Sequence, residues 1–324
     1  MSRRLRVPAL AAALVLCCAA VLSAAGATPT GTHKDDTPDL ILRYAENQPE
    51  GYPTTEAAYA FADLVAQRTD GRVQVRVYSN GVLGSETSVV EQMEYGGIDF
   101  SRISIMSLGE FVPQVYVLQL PFLYENDDHM WAVLDGPIGQ VFLDSIDRAI
   151  GLTGLAWFDA GLRHFYTNSP VTRLEDLKGM KIRVAESSLM EAIVRQLGAD
   201  PVRLSYDDVY SALAKQEIDG AENNWPSYDY TGHYEVVKYM LLDGHTRIPE
   251  LMLASAEAMD KLADLDPEFP TLVRQCAKEA GVIVTTLDEE ELERFRQATA
   301  PIYDMYADQK ALIRRILNAA PDGE

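Results

Sequence analysis

The chain is 324 residues long, and its 28 Lys and Arg stand against 49 Asp and Glu, for a formal net charge of −21. That acidity excludes binding driven by attraction to nucleic acid or to anionic lipid surfaces. Two of its three cysteines, Cys17 and Cys18, lie in an N-terminal apolar run, which leaves Cys276 without an intramolecular disulfide partner and requires a large hydrophobic core to hold the fold.

The N-terminus is basic at Arg3, Arg4 and Arg6, then apolar from Ala9 to Ala25, and closes on Ala25-Gly26-Ala27. This three-part order reads as a secretory signal over residues 1–27, cut after Ala27. An uncleaved anchor is the rival reading, because the run approaches the length that spans a bilayer. Against it, the polar stretch that follows carries a single Lys34 and no basic stop-transfer cluster. Residues 28–37 read as a disordered linker, and the remaining length suggests two domains.

Leu40 to Ala45 reads as a strand and Asn47 to Pro53 as the turn after it. In the next segment Ala58, Phe61, Ala62, Val65 and Ala66 fall at helical spacing, so a helix is expected over Thr55 to Thr69, stopped by Asp70-Gly71. Val73, Val75 and Val77 alternate with Gln74, Arg76 and Tyr78, the pattern of a half-buried strand. A helix is expected over Ser85 to Tyr95 and a third strand over Ile98 to Ile105. Strands separated by helices imply a mostly parallel sheet covered on both faces. Asn126 to Ile146 reads as helix interrupted at Gly136-Pro137, and Leu152 to Phe158 as another strand.

The pattern then restarts. A strand is expected over Lys181 to Val184, a helix over Ser187 to Leu197 and a strand over Pro201 to Leu204. Ser205 and Asp208 are placed to form a capping box on a helix over Tyr206 to Ala214. Ile218 to Glu222 reads as a strand running into a loop. Val236 to Leu242 and Leu251 to Ser255 look extended, and from Ala256 to about Asn318 the pattern is mostly helical. The expected fold class is α/β with two lobes, the first ending near Trp157 to Gly161.

Catalytic signatures are missing. His33, His129, His164, His233 and His245 make no zinc-type pair at helical spacing. There is no G-x-S-x-G elbow, P-loop or G-x-G-x-x-G. Asp127-Asp128, Asp207-Asp208 and Glu289-Glu290-Glu291 lack calcium-loop spacing and read as solvated surface. No metal, no cofactor and no catalytic residue is expected. A carboxylate pair for glycoside chemistry depends on three-dimensional distance and stays open at this level.

Polar chemistry concentrates instead at three expected strand ends: Gly161 to Asn168, Met180 to Ser187 and Ile218 to Tyr228. Ligands of open α/β sheets gather at such ends. In the second segment Ile182 and Val184 face one way and Arg183 the other. A guanidinium matches a carboxylate with two parallel hydrogen bonds, and Asn offers both a donor and an acceptor. For a lone Arg183 the bland alternative is an internal ion pair, and for Asn223-Asn224 it is turn chemistry.

At these residues the chain resembles the solute-binding proteins of tripartite ATP-independent periplasmic (TRAP) transporters, of the C4-dicarboxylate-binding type. The resemblance covers nearly all of Leu40 to Ile316. It is carried by Tyr78-Ser79-Asn80-Gly81-Val82-Leu83-Gly84, Gln119-Leu120-Pro121-Phe122-Leu123, Leu174 to Val184 and Asp219-Gly220-Ala221-Glu222-Asn223-Asn224. It implies a periplasmic-binding-protein-like fold whose lobes close like a hinge, with a long helix crossing both. Lobe I would comprise residues 38–160 plus about 250–288, and lobe II residues 161–249 plus about 289–324.

The resemblance also implies roles. Arg183 would grip the ligand carboxylate in a bidentate salt bridge, assisted by Asn223. Arg163 matches a second cationic position used by sugar-acid binders, Asn47 a polar contact from the first lobe, and Tyr206 an aromatic lying against the ligand. Glu186 falls where some members carry a contacting polar residue, and Trp225 is a further candidate. Some members with nine-carbon sugar acids carry a carboxylate where this chain has Ser104, whereas Arg102 stands two residues earlier and is expected to add a charge or a hydroxyl-binding group. The expected role is a periplasmic solute-binding subunit, not an enzyme and mostly monomeric in this family. It would take a small organic acid, foremost a sugar acid such as a uronate, and its partners would be the small and large membrane subunits. A C4-dicarboxylate or keto acid is the alternative ligand. A periplasmic hydrolase or lyase on acidic sugars is the alternative of another class.

Overall fold

The computed structural model describes residues 37–280 and 296–318. The expected signal over 1–27 and nearly all of the expected linker lie outside them, as does the stretch 281–295 of the expected long helix. Among the described residues no helix is long and apolar enough to cross a membrane.

The chain opens with strand β1 (Leu40–Ala45), helix α1 (Pro53–Arg68), strand β2 (Val73–Tyr78), helix α2 (Glu86–Glu94) and strand β3 (Phe100–Ser104). Ser85 caps α2 by accepting from the Ser88 amide. Asp70 and Gly71 both take positive φ and turn the chain from α1 into β2, which ends the helix where the sequence reading puts it. The short helix α3 (Ile105–Leu108) follows β3 directly. Then come α4 (Asp127–Leu134), capped by Asn126, and α5 (Pro137–Ile150), separated at Gly136.

Strand β4 (Thr153–Thr167) is 15 residues long, more than twice the stretch expected, and runs on through most of the Gly161 to Asn168 segment expected at its end. The second half continues with β5 (Lys181–Val184), α6 (Ser188–Gln196), β6 (Asp200–Arg203), α7 (Val209–Ala214) and β7 (Gly220–Asn223). The expected capping box is not formed: the Ser205 hydroxyl donates to Asp208 itself at 2.6 Å, and α7 starts three residues after Tyr206. Helices α8 (Trp225–Tyr230) and α9 (His233–Val236) lead to β8 (Tyr239–Ala254), which is 16 residues long. The two extended stretches expected there are one strand. Helices α10 (Ala256–Leu265) and α11 (Phe269–Glu279) follow, and the described chain ends on a helix over Lys310–Leu317.

The strands form one sheet in the order β2-β1-β3-β8-β4-β7-β5-β6. Pairing is parallel at both ends, among β2, β1 and β3 and among β7, β5 and β6, as βαβ crossovers require. In the middle β3, β8, β4 and β7 are antiparallel. The two lobes of this periplasmic-binding-protein fold are thus the ends of one sheet, joined through the long strands β4 and β8. Where these pass between the lobes their pairing shifts register at Asp159/Leu162 and Arg163/Phe165. Such irregularities bend a strand. The bend carries its own ion pairs, because Arg247 on β8 donates to both oxygens of Asp159 on β4 at 2.9 and 2.6 Å and also meets Asp127.

Apolar residues of α1, α10 and α11 cover one face of the β1 to β3 end, around Phe61, Leu262 and Val273. A larger core on the other face runs from Met93, Leu118 and Phe142 to Val184, Met190 and Ile193 of the second lobe.

Candidate functional site

β5 is short and alternates. Ile182 and Val184 are buried in the large core, so Arg183 between them points the other way, toward the space between the lobes. β5 pairs with β7, Arg183 lying opposite Ala221, and β7 pairs with β4, Asn223 lying opposite His164. This register puts Arg183 and Asn223 on one side of the sheet, and Arg163, beside the register shift in β4, reaches Asn223 as well. Gly220 makes it possible: a Cβ there would stand 2.4 Å from the Tyr166 carbonyl oxygen of β4.

The cavity between the lobes encloses about 750 Å³ including its mouth. From the first lobe it is lined by Asn47, Gln48, Glu86 and Arg102, from the second by Arg163, Arg183, Tyr206 and Asn223, and from the bend of β8 by Glu250. Glu186 is also at its wall, exposed, and accepts from Thr87 of the opposite lobe at 3.3 Å. Trp225 is not in the lining: it is 41% exposed and packs edge-on against Tyr228. Across the mouth the Glu110 carboxylate accepts from the Ser188 amide at 3.0 Å, and the Tyr52 hydroxyl lies 3.3 to 3.4 Å from Ser227 and Asn224. The lobes therefore touch through polar contacts around the cavity.

Three arginines line it, and their partners differ. Arg163 is spent internally. Its Nε and Nη2 grip both oxygens of Glu222 at 2.6 and 2.9 Å, and its Nη1 donates to Asn223 Oδ1 at 2.7 Å. Glu222 is in turn 3.6 Å from His245 Nε2, and His245 Nδ1 meets Asp243 at 2.8 Å. Burial pulls the His245 pKa down, but Asp243 and Glu222 win and raise it to about 9.

Arg102 is spent as well. Its Nη1 donates to Glu86 at 2.6 Å and lies 3.3 Å from Glu250, while Nη2 and Nε serve Glu46, with Asn47 Oδ1 as a further acceptor. Arg102, expected to add a charge or a hydroxyl-binding group, lines the cleft with its charge already taken up by these acids. Three acids surround one guanidinium, so this wall of the cleft carries no spare positive charge.

Arg183 is the exception. It is 2% exposed, and its Nε and Nη2 donate only to the Leu204 carbonyl, at 3.1 and 2.8 Å. Among the described residues no carboxylate pairs with it. Burial, and secondarily the neighbouring Arg163, hold its pKa below the usual arginine value, the mark of a desolvated cation lacking a counter-ion. Asn223 accepts through Oδ1 from Arg163 and from the Asn224 amide at 2.9 Å, leaving its Nδ2 to face the cleft. Tyr206 lines the same wall, and burial raises its phenol to about 12.

Among the described residues, Glu250 Oε2, Gln48 Oε1 and Tyr206 Oη are buried lining atoms without a partner at good hydrogen-bond geometry, although Tyr206 lies beside Ser227 and Gln48. Glu250 and Gln48 are absent from the sequence reading. The only signal for Glu250 was a charged residue directly before the apolar run Leu251-Met252-Leu253 of a strand. No cluster of His, Cys, Asp and Glu able to hold a metal occurs among the described residues.

A two-lobed sheet, a cavity at the bend and one uncompensated guanidinium inside it define a solute-binding protein for organic anions. Residues 44–269 match the bacterial extracellular solute-binding protein family 7, DctP, and the chain belongs to that family. It is 36% identical to a solute-binding protein of Chromohalobacter salexigens, over 85% of this chain and 87% of that one. Among solved structures it is similar to a TRAP periplasmic solute-binding protein of Xanthobacter autotrophicus with bound β-D-galacturonate (37% identity, TM-score 0.79, covering 86% and 99% of the two chains). Another, from Pseudomonas putida with bound D-glucuronate, is 35% identical at TM-score 0.80, covering 88% and 98%.

Proposed function

We propose that this protein captures a hydroxylated monocarboxylate, a sugar acid such as a uronate, for a TRAP transporter. The observation that carries the reading is the charge count of the cleft. Arg163 is neutralised by Glu222 and Arg102 is more than neutralised by its acids, so of the three cleft arginines Arg183, paired with no described carboxylate, is the one that seeks an anion. One carboxylate is therefore matched, and a second would meet the Arg102 wall, where acids outnumber the arginine. Beside the apolar Met106, Ala185 and Leu204, the remaining lining offers uncharged polar or acidic groups suited to hydroxyls. The two solved relatives that hold uronates support the same class.

In this reading the ligand carboxylate docks on Arg183 with Asn223 Nδ2 beside it, Tyr206 lies against the ring, and Asn47, Gln48 and Glu186 edge the site. Exclusion of water as the lobes close strengthens the ion pair. A micromolar Kd corresponds to about −8 kcal/mol, which a desolvated bidentate pair with several hydrogen bonds supplies after ordering costs. The protein would act in the periplasm after loss of the N-terminal signal, present its closed form to the small and large membrane subunits and release the acid chemically unchanged, with no catalysis. Thermal-shift screening of uronates, aldonates, C4-dicarboxylates and keto acids, followed by calorimetry, tests this. Stabilisation by the uronates is expected, and stabilisation by C4-diacids alone would overturn the ligand class.

A further inference from the structure

We propose that Glu250 is the residue that reads a hydroxyl of the bound acid and so separates sugar acids from simple dicarboxylates. The inference rests on the function proposed above. Its starting point is a difference among the three acids around Arg102. Glu46 is saturated, accepting from Arg102 through both oxygens and from the Gln48 amide. Glu86 is saturated as well, its Oε1 taking Arg102 and its Oε2 taking the Ser107 hydroxyl at 2.8 Å and the Ser104 amide at 3.3 Å. Glu250 has only the 3.3 Å approach of its Oε1 to Arg102, and its Oε2 is buried with no partner.

Arg102 does not need this third acid, because its nitrogens already donate to Glu46, Glu86 and Asn47. A buried carboxyl oxygen left unpaired costs about 1–3 kcal/mol. The residue is 8% exposed and lines the cleft, so a group entering the cleft can reach it.

Position adds to this. Glu250 sits where β8 passes from β3 to the other lobe, opposite Ser104 on one side and Phe158 on the other. It enters the lining from the bend, whereas Arg183 enters from β5 of the second lobe. A ligand held by its carboxylate at Arg183 and reaching Glu250 must offer a hydroxyl there. A second carboxylate would be repelled by Glu250, Glu86 and Glu46 together. Burial, set against Arg102 and reinforced by Glu86 and Glu46, raises the Glu250 pKa to about 7, so near neutrality it serves a hydroxyl either as acceptor or, when protonated, as donor.

The test is calorimetry on wild type, Glu250→Leu and Glu250→Gln, with D-glucuronate, its singly deoxygenated analogues and succinate, folding being checked by thermal melts. One deoxy analogue is expected to bind wild type about ten-fold more weakly than the parent acid, and that penalty should vanish in Glu250→Leu. Glu250→Gln, which still hydrogen-bonds but as a neutral and weaker acceptor, should show a smaller penalty than wild type. Succinate should bind Glu250→Leu no worse than wild type. Equal penalties on wild type and Glu250→Leu for every analogue, or no penalty on wild type, overturn the assignment of Glu250 alone; a satisfied water at Oε2 would give that result. Should Glu250→Leu fail to fold, the wild-type series with Glu250→Gln decides: it supports the assignment only if one analogue's penalty exceeds about three-fold on wild type and shrinks in Glu250→Gln. A wild type that binds no sugar acid overturns the functional reading as well.

Discussion

Replacing Arg183 and Arg163 one at a time by Met separates a ligand-seeking arginine from a structural one. Both are nearly fully buried, yet they sit in opposite electrostatic balance. Arg183→Met removes two hydrogen bonds to the Leu204 carbonyl, a loss of about 1–3 kcal/mol, and also removes an unpaired buried cation. Relief of that desolvation is of similar size, because apolar replacement of buried charges is often neutral or stabilising by about 1–4 kcal/mol. The ligand-free variant is expected within about 2 kcal/mol of wild type. Its ligand affinity should fall by about 2–5 kcal/mol, roughly thirty-fold to several-thousand-fold in Kd.

Arg163→Met has the reverse profile. It strands the Glu222 carboxylate in the core and frees Asn223, so the fold itself should lose about 3–5 kcal/mol. Urea titration of the ligand-free proteins and calorimetry with D-glucuronate read the two quantities separately. Equal destabilisation by both substitutions, or near-native affinity in Arg183→Met, would falsify the claim that Arg183 is held in reserve for an anion.

Stability should fall between pH 6.5 and 9. The folded His245 pKa of about 9 lies above the unfolded value, so its contribution is complete below about 6.5 and is lost as pH rises through 9, a difference of about 3 kcal/mol at most. Glu250, raised by burial to about 7, binds its proton more tightly when folded and adds to the decline between 4.5 and 7. His233, lowered by burial and by Arg183 to about 4, acts oppositely, its stability being lost as pH falls from 6.5 toward 4. Urea midpoints should therefore be level from pH 5 to 6.5 and drop by pH 9, with a smaller drop in His245→Gln; a midpoint that rises toward pH 9 contradicts this. Gly220→Ala forces a methyl onto the Tyr166 carbonyl and should cost about 1–3 kcal/mol while weakening ligand binding through Asn223; unchanged urea and calorimetric values would show that β7 shifts freely.

Local pattern was enough for several features. The alternation of Ile182, Arg183 and Val184 decides that the arginine opposes the core, because successive side chains of a strand face opposite sides. The βαβαβ opening follows from the spacing of Val73, Val75 and Val77 and from the Asp70-Gly71 stop. The family motifs around Arg183 and Asn223 sufficed to place the chain in its family.

Other features are set only by residues far apart in the chain. β8 continues through His245, Arg247 and Glu250, which break the apolar pattern of a strand; their partners Glu222, Asp127, Asp159 and Arg102 come from other elements, so no local window marks them as buried. The same cause governs the arginines. Arg102, Arg163 and Arg183 are alike as strand residues, and their roles diverge because Glu46, Glu86 and Glu222 are carried to the first two while, among the described residues, no acid is carried to the third. Charge compensation falls off over a few ångströms, and distances on that scale between strands from different parts of the chain exist only once the sheet has formed.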